Sequence, residues 1–149
     1  MGNIMIRSVA VADLAALCEL YRQLNPDDPP GPSEAAALDL LVGVLKHAGT
    51  TIFVGEVDGS CVSTCMLVVC PNFSRSGRPF GLIENVVTHR DHRRQGYGRR
   101  LVQRAIEAAR QQGCYRVSSM TGSRRQETLR FYEETGLQRA KTSFEARFG

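Results

Sequence analysis

The chain has 149 residues, 19 of them Lys or Arg and 15 Asp or Glu, for a formal net charge of +4. At 42% hydrophobic and 23% charged it is too apolar for a disordered segment, and its length suits a single domain, 1–149, able to bury roughly 68–70% of its unfolded surface. No run approaches about 18 apolar residues, and Met1 to Ile6 lacks the basic, apolar and cleavage regions of a secretory signal, so no membrane partner is expected and the cytoplasm is the expected compartment.

Five cysteines, Cys18, Cys61, Cys65, Cys70 and Cys114, make an odd number without disulfide-scaffold spacing and read as reduced residues in or near the core. Cys61, Cys65 and Cys70 lack a C-x₂-C knuckle and would point to different faces of one strand, so no metal is expected.

In chain order, Ile4 to Val9 predicts a first strand, and Asp13 opens a helix through Leu14, Leu17, Leu20 and Tyr21. The proline-rich stretch Asn25 to Pro32 ends it, and Ser33 starts a second helix carrying Leu38, Leu41, Val42 and Leu45. Thr51 to Val57, Asp58-Gly59 and Cys61 to Val69 predict an antiparallel hairpin, because β-branched residues flank a two-residue turn signal. After a polar loop from Pro71 to Pro79, Phe80 to Thr88 reads as a central strand. Adjacent Glu84 and Asn85 are out of place there unless one end opens to a site or a side chain finds a partner. A helix over about 97–112 carries Leu101, Val102, Ala105, Ile106 and Ala109 at helical spacing, and Gly113 closes it. Cys114 to Met120 is the next strand, Glu127 to Glu134 a short helix stopped by Gly136, and Leu137 to Phe148 the expected final strands around a turn near Lys141 and Thr142. The strand, helix, strand order over 80–120 fits a right-handed crossover, and the fold class is α/β, with a mixed sheet of α+β character.

The segment from Val87 to Leu101 carries the most chemistry: a strand runs through a basic, glycine-bearing turn into a helix. Gly96 and Gly98 let the backbone approach a ligand, the first helical N–H groups have no internal partner, and Arg93, Arg94 and Arg99 raise the local potential. That combination holds a diphosphate. The spacing is neither GxGxxG nor GxxxxGK[ST], which leaves some other phosphate-bearing cofactor. Base-stacking aromatics are sparse in the segment and no zinc finger or RNP-like strand is present, so nucleic acid is not an expected partner. No serine sits in G-x-S-x-G.

Arg93-Arg94-Gln95-Gly96-Tyr97-Gly98 resembles the [QR]-x-x-G-x-[GA] signature of the GCN5-related N-acetyltransferases. Phe131 to Leu137 resembles that family's F/L-Y-x-x-x-G-F segment, in the right order and after a strand-sized gap. The resemblance implies a bent mixed β-sheet flanked by helices, acetyl-coenzyme A as cosubstrate and direct acetyl transfer to a primary amine of a small molecule. It places Val86, Val87, Thr88, Arg93, Arg94, Gln95, Gly96, Tyr97, Gly98 and Arg99 against the cofactor, with the amides of the turn gripping the pyrophosphate. Tyr132 falls at the position of the family's general acid; packing the last helix on the sheet is the other role open to it. Glu84 is the candidate general base, and the alternatives are an ion pair with an arginine or a contact to the substrate ammonium. Asn85 and Arg124 are candidate substrate contacts, and the proline-rich turn with the helix after it is expected to border the acceptor pocket.

The chain departs from the family's pattern where many members have Asn seven residues, and Ala four residues, before the tyrosine: Arg125 and Thr128 stand there. A narrower similarity, in Ile83 to Val87, Gly113 to Arg116 and Phe131-Tyr132, is to glucosamine-phosphate N-acetyltransferases, for which Arg75, Arg78 and Arg124 would supply a positive acceptor pocket. Protein amines as acceptors and a non-catalytic coenzyme A sensor stay open as alternatives. Alternation of Phe144, Ala146 and Phe148 predicts a final segment that closes the core or pairs with a second subunit, and a homodimer is expected.

Overall fold

Alternate residues of a strand face opposite ways, and along residues 50–57 both sets are apolar. Ile52 and Val54 join Val9, Leu17 and Leu41 in one buried cluster. Phe53 and Val57 join Cys65, Leu67, Ile83, Leu101 and Val102 in another, larger one. A sheet with two apolar faces needs helices on both, and that is the architecture of this protein in a computed structural model that describes residues 2–148.

Five strands, β1 (Met5–Ser8), β2 (Thr50–Val57), β3 (Ser60–Cys70), β4 (Phe80–Thr88) and β5 (Val117–Ser119), lie side by side in sequence order. The first three pairings are antiparallel. β4 and β5 are parallel, because α3 (Tyr97–Gln111) returns the chain between them. α1 (Leu14–Leu24) and α2 (Glu34–Lys46) contribute Leu17 and Leu41 to the smaller cluster, so they cover one face of the sheet. α3 buries Tyr97, Leu101, Val102, Ala105, Ala108 and Ala109 on the other, where Phe131 of α4 (Gln126–Glu134) also packs. Burying Leu101 completely contributes about 1.5–3 kcal/mol. The expected mixed sheet flanked by helices is the observed one.

Local signals act where the sequence places them. Asp58 and Gly59 both take positive φ, 49° and 79°, the left-handed pair that a two-residue hairpin turn requires. The Ser33 hydroxyl accepts from the Ala36 N–H at 3.3 Å at the start of α2. Asp13 stands immediately before α1, as expected, but its side chain makes no capping bond to that helix. Its buried carboxylate accepts from Arg7 Nη1 at 2.7 Å and Nη2 at 2.9 Å and from the Ala10 N–H at 2.7 Å, bracing the turn before α1 against β1. The Arg7 guanidinium also reaches Glu56 on β2 at 2.9 Å. Arg7 holds the Asp13 carboxyl well below the usual carboxylate range.

Two expectations are corrected. The strand expected over Cys114 to Met120 is only Val117–Ser119, hydrogen-bonded alongside Gly81 to Ile83. The final strands do not form: residues 138–148 are irregular, with Phe144 95% and Phe148 94% exposed. Alternation there has no counterpart among the described residues, since a three-residue edge strand offers too short a ladder and no second apolar face among them meets the phenylalanines.

Candidate active site

Because β5 stops at Ser119, opposite Ile83, the remaining half of β4 runs on without a neighbour on that side. A cleft of about 970 Å³ opens there, walled by the end of β4, the turn leading into α3, the first turn of α3 and one side of α4. All the residues expected against the cofactor line it: Val86 to Thr88 on the strand, and Arg93 to Arg99 around the turn. Tyr132 lines it from α4.

The turn is built to aim backbone donors. Arg94 and Gly96 both have positive φ, 61° and 77°, so the chain coils tightly before entering α3. Arg93 Nε donates to the Thr88 carbonyl at 3.1 Å, and the buried Tyr97 hydroxyl donates to Gln95 Oε1 at 3.0 Å, which pins the turn from both ends. Gly96 is the N-cap and supplies no side-chain acceptor, so the N–H groups of the first turn point outward uncapped. No acidic residue sits in that turn, while Arg99 does. A helix start prefers anions, and this one carries a cation and an open cradle, an arrangement that is favourable once a polyanion arrives. A Cβ on Gly98 would lie 3.2 Å from Thr88 Oγ1 and 3.4 Å from Phe131 Cε2, so the absent side chain keeps strand, helix and cleft wall in close approach. These features fit a diphosphate.

The far wall, α4, is where sequence reasoning saw least. Glu127, Phe131 and Glu134 recur at i, i+4 and i+7 and share one face, and Arg125 and Arg130 also line the cleft. That spacing was a readable signal. Phe131 meets Tyr132 edge to face with ring centroids 5.0 Å apart. Burial pushes the Tyr132 phenol up, the Ser119 hydroxyl pulls it down, and the Glu84 charge pushes it up again, so the group is a protonated donor at neutral pH.

Glu84, Asn85 and Arg124 are placed differently: none of the three is part of the cleft wall. Glu84 is half-buried on β4; desolvation, then the charge of Glu145 in the C-terminal segment, raises its carboxyl above the ordinary value. Asn85 has φ 54° and sits at an irregularity in the β3–β4 register. Arg124 is exposed in the loop before α4. Arg75 and Arg78 lie away from the cleft. The first stacks over the Tyr115 ring at 5.6 Å, and the second donates to the Gly113 and Cys114 carbonyls at 3.3 Å. Pro26, from the proline-rich turn, borders a smaller, separate groove of about 460 Å³ with Glu19, Arg22, Gln23, Arg90 and Arg93, and no residue of that turn or of α2 lines the cleft itself.

Residues 14–137 match the model of the acetyltransferase (GNAT) family. A glucosamine 6-phosphate N-acetyltransferase of Trypanosoma brucei brucei is 30% identical over 137 residues, covering 91% of this chain and 89% of that protein. Glucosamine 6-phosphate N-acetyltransferase 1 of Oryza sativa subsp. japonica is 34% identical over 123 residues, 75% of this chain and 69% of its own length. Among solved structures, a putative acetyltransferase from Agrobacterium tumefaciens str. C58 superposes with a TM-score of 0.92 at 40% identity, over 97% of this chain and 99% of that one. With the uncapped turn into α3, the split between β4 and β5 and these matches together, the chain belongs to the acetyltransferase (GNAT) family.

Proposed function

We propose that this protein transfers the acetyl group of acetyl-coenzyme A directly to a primary amine of a small molecule. The observation that carries the reading is the uncapped, arginine-bearing start of α3 at the mouth of a cleft that continues along the free half of β4. Acetyl-coenzyme A would supply an activated thioester, so the protein's task is to bind, align and move protons. Arg93, Arg94 and Arg99, with the first-turn N–H groups, hold the diphosphate. Val86 to Thr88 offer backbone groups to the pantetheine arm, and the N–H around Val86 is the donor for charge developing on the acyl oxygen. Tyr132, kept protonated by burial, holds the proton for the leaving sulfur. Glu84, its proton affinity raised, takes the proton of the acceptor ammonium directly or through water, and Asn85 and Arg124 contact the acceptor.

Amino-sugar phosphates are the second reading, favoured by the names of the Trypanosoma and Oryza relatives at 30% and 34% identity. The five cysteines as free thiols support a reducing compartment, the cytoplasm. Exposed Phe144 and Phe148 support a homodimer, which predicts a concentration-dependent mass in solution. A screen of thioester consumption over a panel of amines, amino sugars, amino-sugar phosphates, amino acids and peptides, with product mass identifying the acceptor, tests the assignment. Failure of every acceptor in the panel to elicit coenzyme A release, under conditions where the protein binds acetyl-coenzyme A, would point instead to a sensor.

A further inference from the structure

Two carboxylates stand in a cleft otherwise built for a polyanion. Glu127 Oε1 lies 4.0 Å from Arg94 Nη2, and Glu134 Oε2 lies 3.7 Å from Arg99 Nη1. Each pairs with an arginine of the cradle, although Arg125, the N-cap of α4, and Arg130, on that helix, line the same cleft. The two acids are seven residues apart, on the stripe of α4 that faces α3, with Phe131 between them. Helix stability does not account for Glu134. It sits in the last turn of α4, where a negative charge opposes the helix dipole and where no basic residue offsets it.

We propose that Glu127 and Glu134 are affinity-setting residues: they hold Arg94 and Arg99 when the cleft is empty and yield them to the diphosphate, so the coenzyme is bound less tightly and released faster. The inference rests on the coenzyme A reading of the cleft. All four side chains are substantially exposed, 88% and 76% in one pair and 47% and 52% in the other, so each exchange is small and salt-sensitive. Pairs of this kind correspond to about two- to fivefold in an equilibrium constant.

The test is calorimetric titration of coenzyme A into the wild type, Glu127→Gln, Glu134→Gln and the double variant, at low and at high salt. Each single variant is expected to bind about two- to fivefold more tightly at low salt and the double variant about tenfold, with the gain shrinking as salt rises. Pantetheine, which lacks the diphosphate, is expected to bind all four proteins alike. Glu107→Gln makes the same charge change at a carboxylate paired with Arg110 on the outer side of α3, and is expected to leave affinity unchanged. Unchanged or weaker coenzyme A binding by a double variant that melts like the wild type overturns the proposal. So does an equal gain with pantetheine or with Glu107→Gln. A wild type that fails to bind coenzyme A at all removes the functional reading itself, which is a separate outcome.

Discussion

Replacing Gly98 probes the cradle, because the consequences of adding carbon there are readable from its neighbours. A single methyl, in Gly98→Ala, arrives 3.2 Å from Thr88 Oγ1 and 3.4 and 3.5 Å from two atoms of the Phe131 ring. Thr88 has little room to retreat: its hydroxyl is 2.8 Å from Ser63 Oγ, and that fully buried hydroxyl also donates to the Val87 carbonyl. Phe131 can tilt, but its ring meets Tyr132 edge to face, so the tilt reaches the proposed acid. For alanine, the roughly 0.5–1 kcal/mol gained by removing a helical glycine offsets mild crowding, and stability should stay within about 1 kcal/mol of wild type. Valine adds two further methyls in the same gap, costing about 1–3 kcal/mol in overpacking and pushing Phe131 into the cleft. Acetyl-coenzyme A affinity should fall at least about tenfold, equivalent to about 1.4 kcal/mol, in Gly98→Val and less than about threefold in Gly98→Ala. The alanine protein should lose more turnover than affinity, since its lesion acts through Tyr132. Calorimetric titration beside a thermal melt makes the measurement. A folded Gly98→Val protein with wild-type affinity would show that Gly98 is not part of the cradle.

Tyr132→Phe should leave coenzyme A affinity within about twofold and lower turnover about 10²- to 10⁴-fold, the usual scale for a positioned acid; equal turnover across the pH range removes the hydroxyl from the chemistry. Glu84→Gln should abolish the limb of the rate profile that rises with pH. Because the folded-state proton affinity of Glu84 is raised, its contribution to stability is present at low pH and lost as pH rises, so the glutamine protein should also be slightly more stable at neutral pH. A melt at pH 7 no higher than wild type, together with an unchanged rate profile, contradicts both statements. Asp13 has the opposite sign: its folded-state value is depressed, so its contribution is complete above the unfolded value of about 4 and fades as pH falls below it. Asp13→Asn should cost about 1–3 kcal/mol at pH 7, discounted because Arg7 is a third exposed and keeps Glu56, and should flatten the acid limb of stability against pH.

The elements readable from the sequence are those whose cause is local. The hairpin needed only Asp58-Gly59 between β-branched runs, α2 needed Ser33, and α3 needed its apolar stripe and Gly113, which takes φ 80° just past the helix. The turn into α3 was legible for the same reason: Arg93 to Arg99 is one continuous segment, and it lines the cleft as a unit. What was not legible depends on distant partners. The tail carries a strand's alternation, but a strand also needs an edge to pair with, and β5 supplies three residues. Asp13 does precede α1, but its carboxylate turns back to Arg7 and the Ala10 N–H instead of capping the helix, and the distant member of that ion cluster, Glu56, arrives only when β2 pairs with β1. The facing wall of the cleft, with Arg125, Arg130 and the two carboxylates, exists as a wall only once α4 is folded across from α3.

The oddest feature of the sequence, polar Glu84-Asn85 inside a central strand, has its explanation in the pairing of β3 with β4. Met66 is opposite Glu84 and Thr64 is opposite Val87, so two residues of β4, Asn85 and Val86, face the single intervening Cys65. The extra residue must take up the local kink, and Asn85 does so with φ 54°, a conformation that asparagine tolerates better than β-branched residues. The insertion also changes the phase of the strand. In an unbroken strand Ile83 and Val86, three apart, would point to opposite faces, yet Ile83 is in the large cluster beneath α3 and Val86 packs against that same cluster. One added residue therefore turns the end of β4 over, bringing Val86 and Thr88 to the α3 side where the cleft lies. The polar pair marks the point at which a strand that begins as core becomes the wall of the cleft.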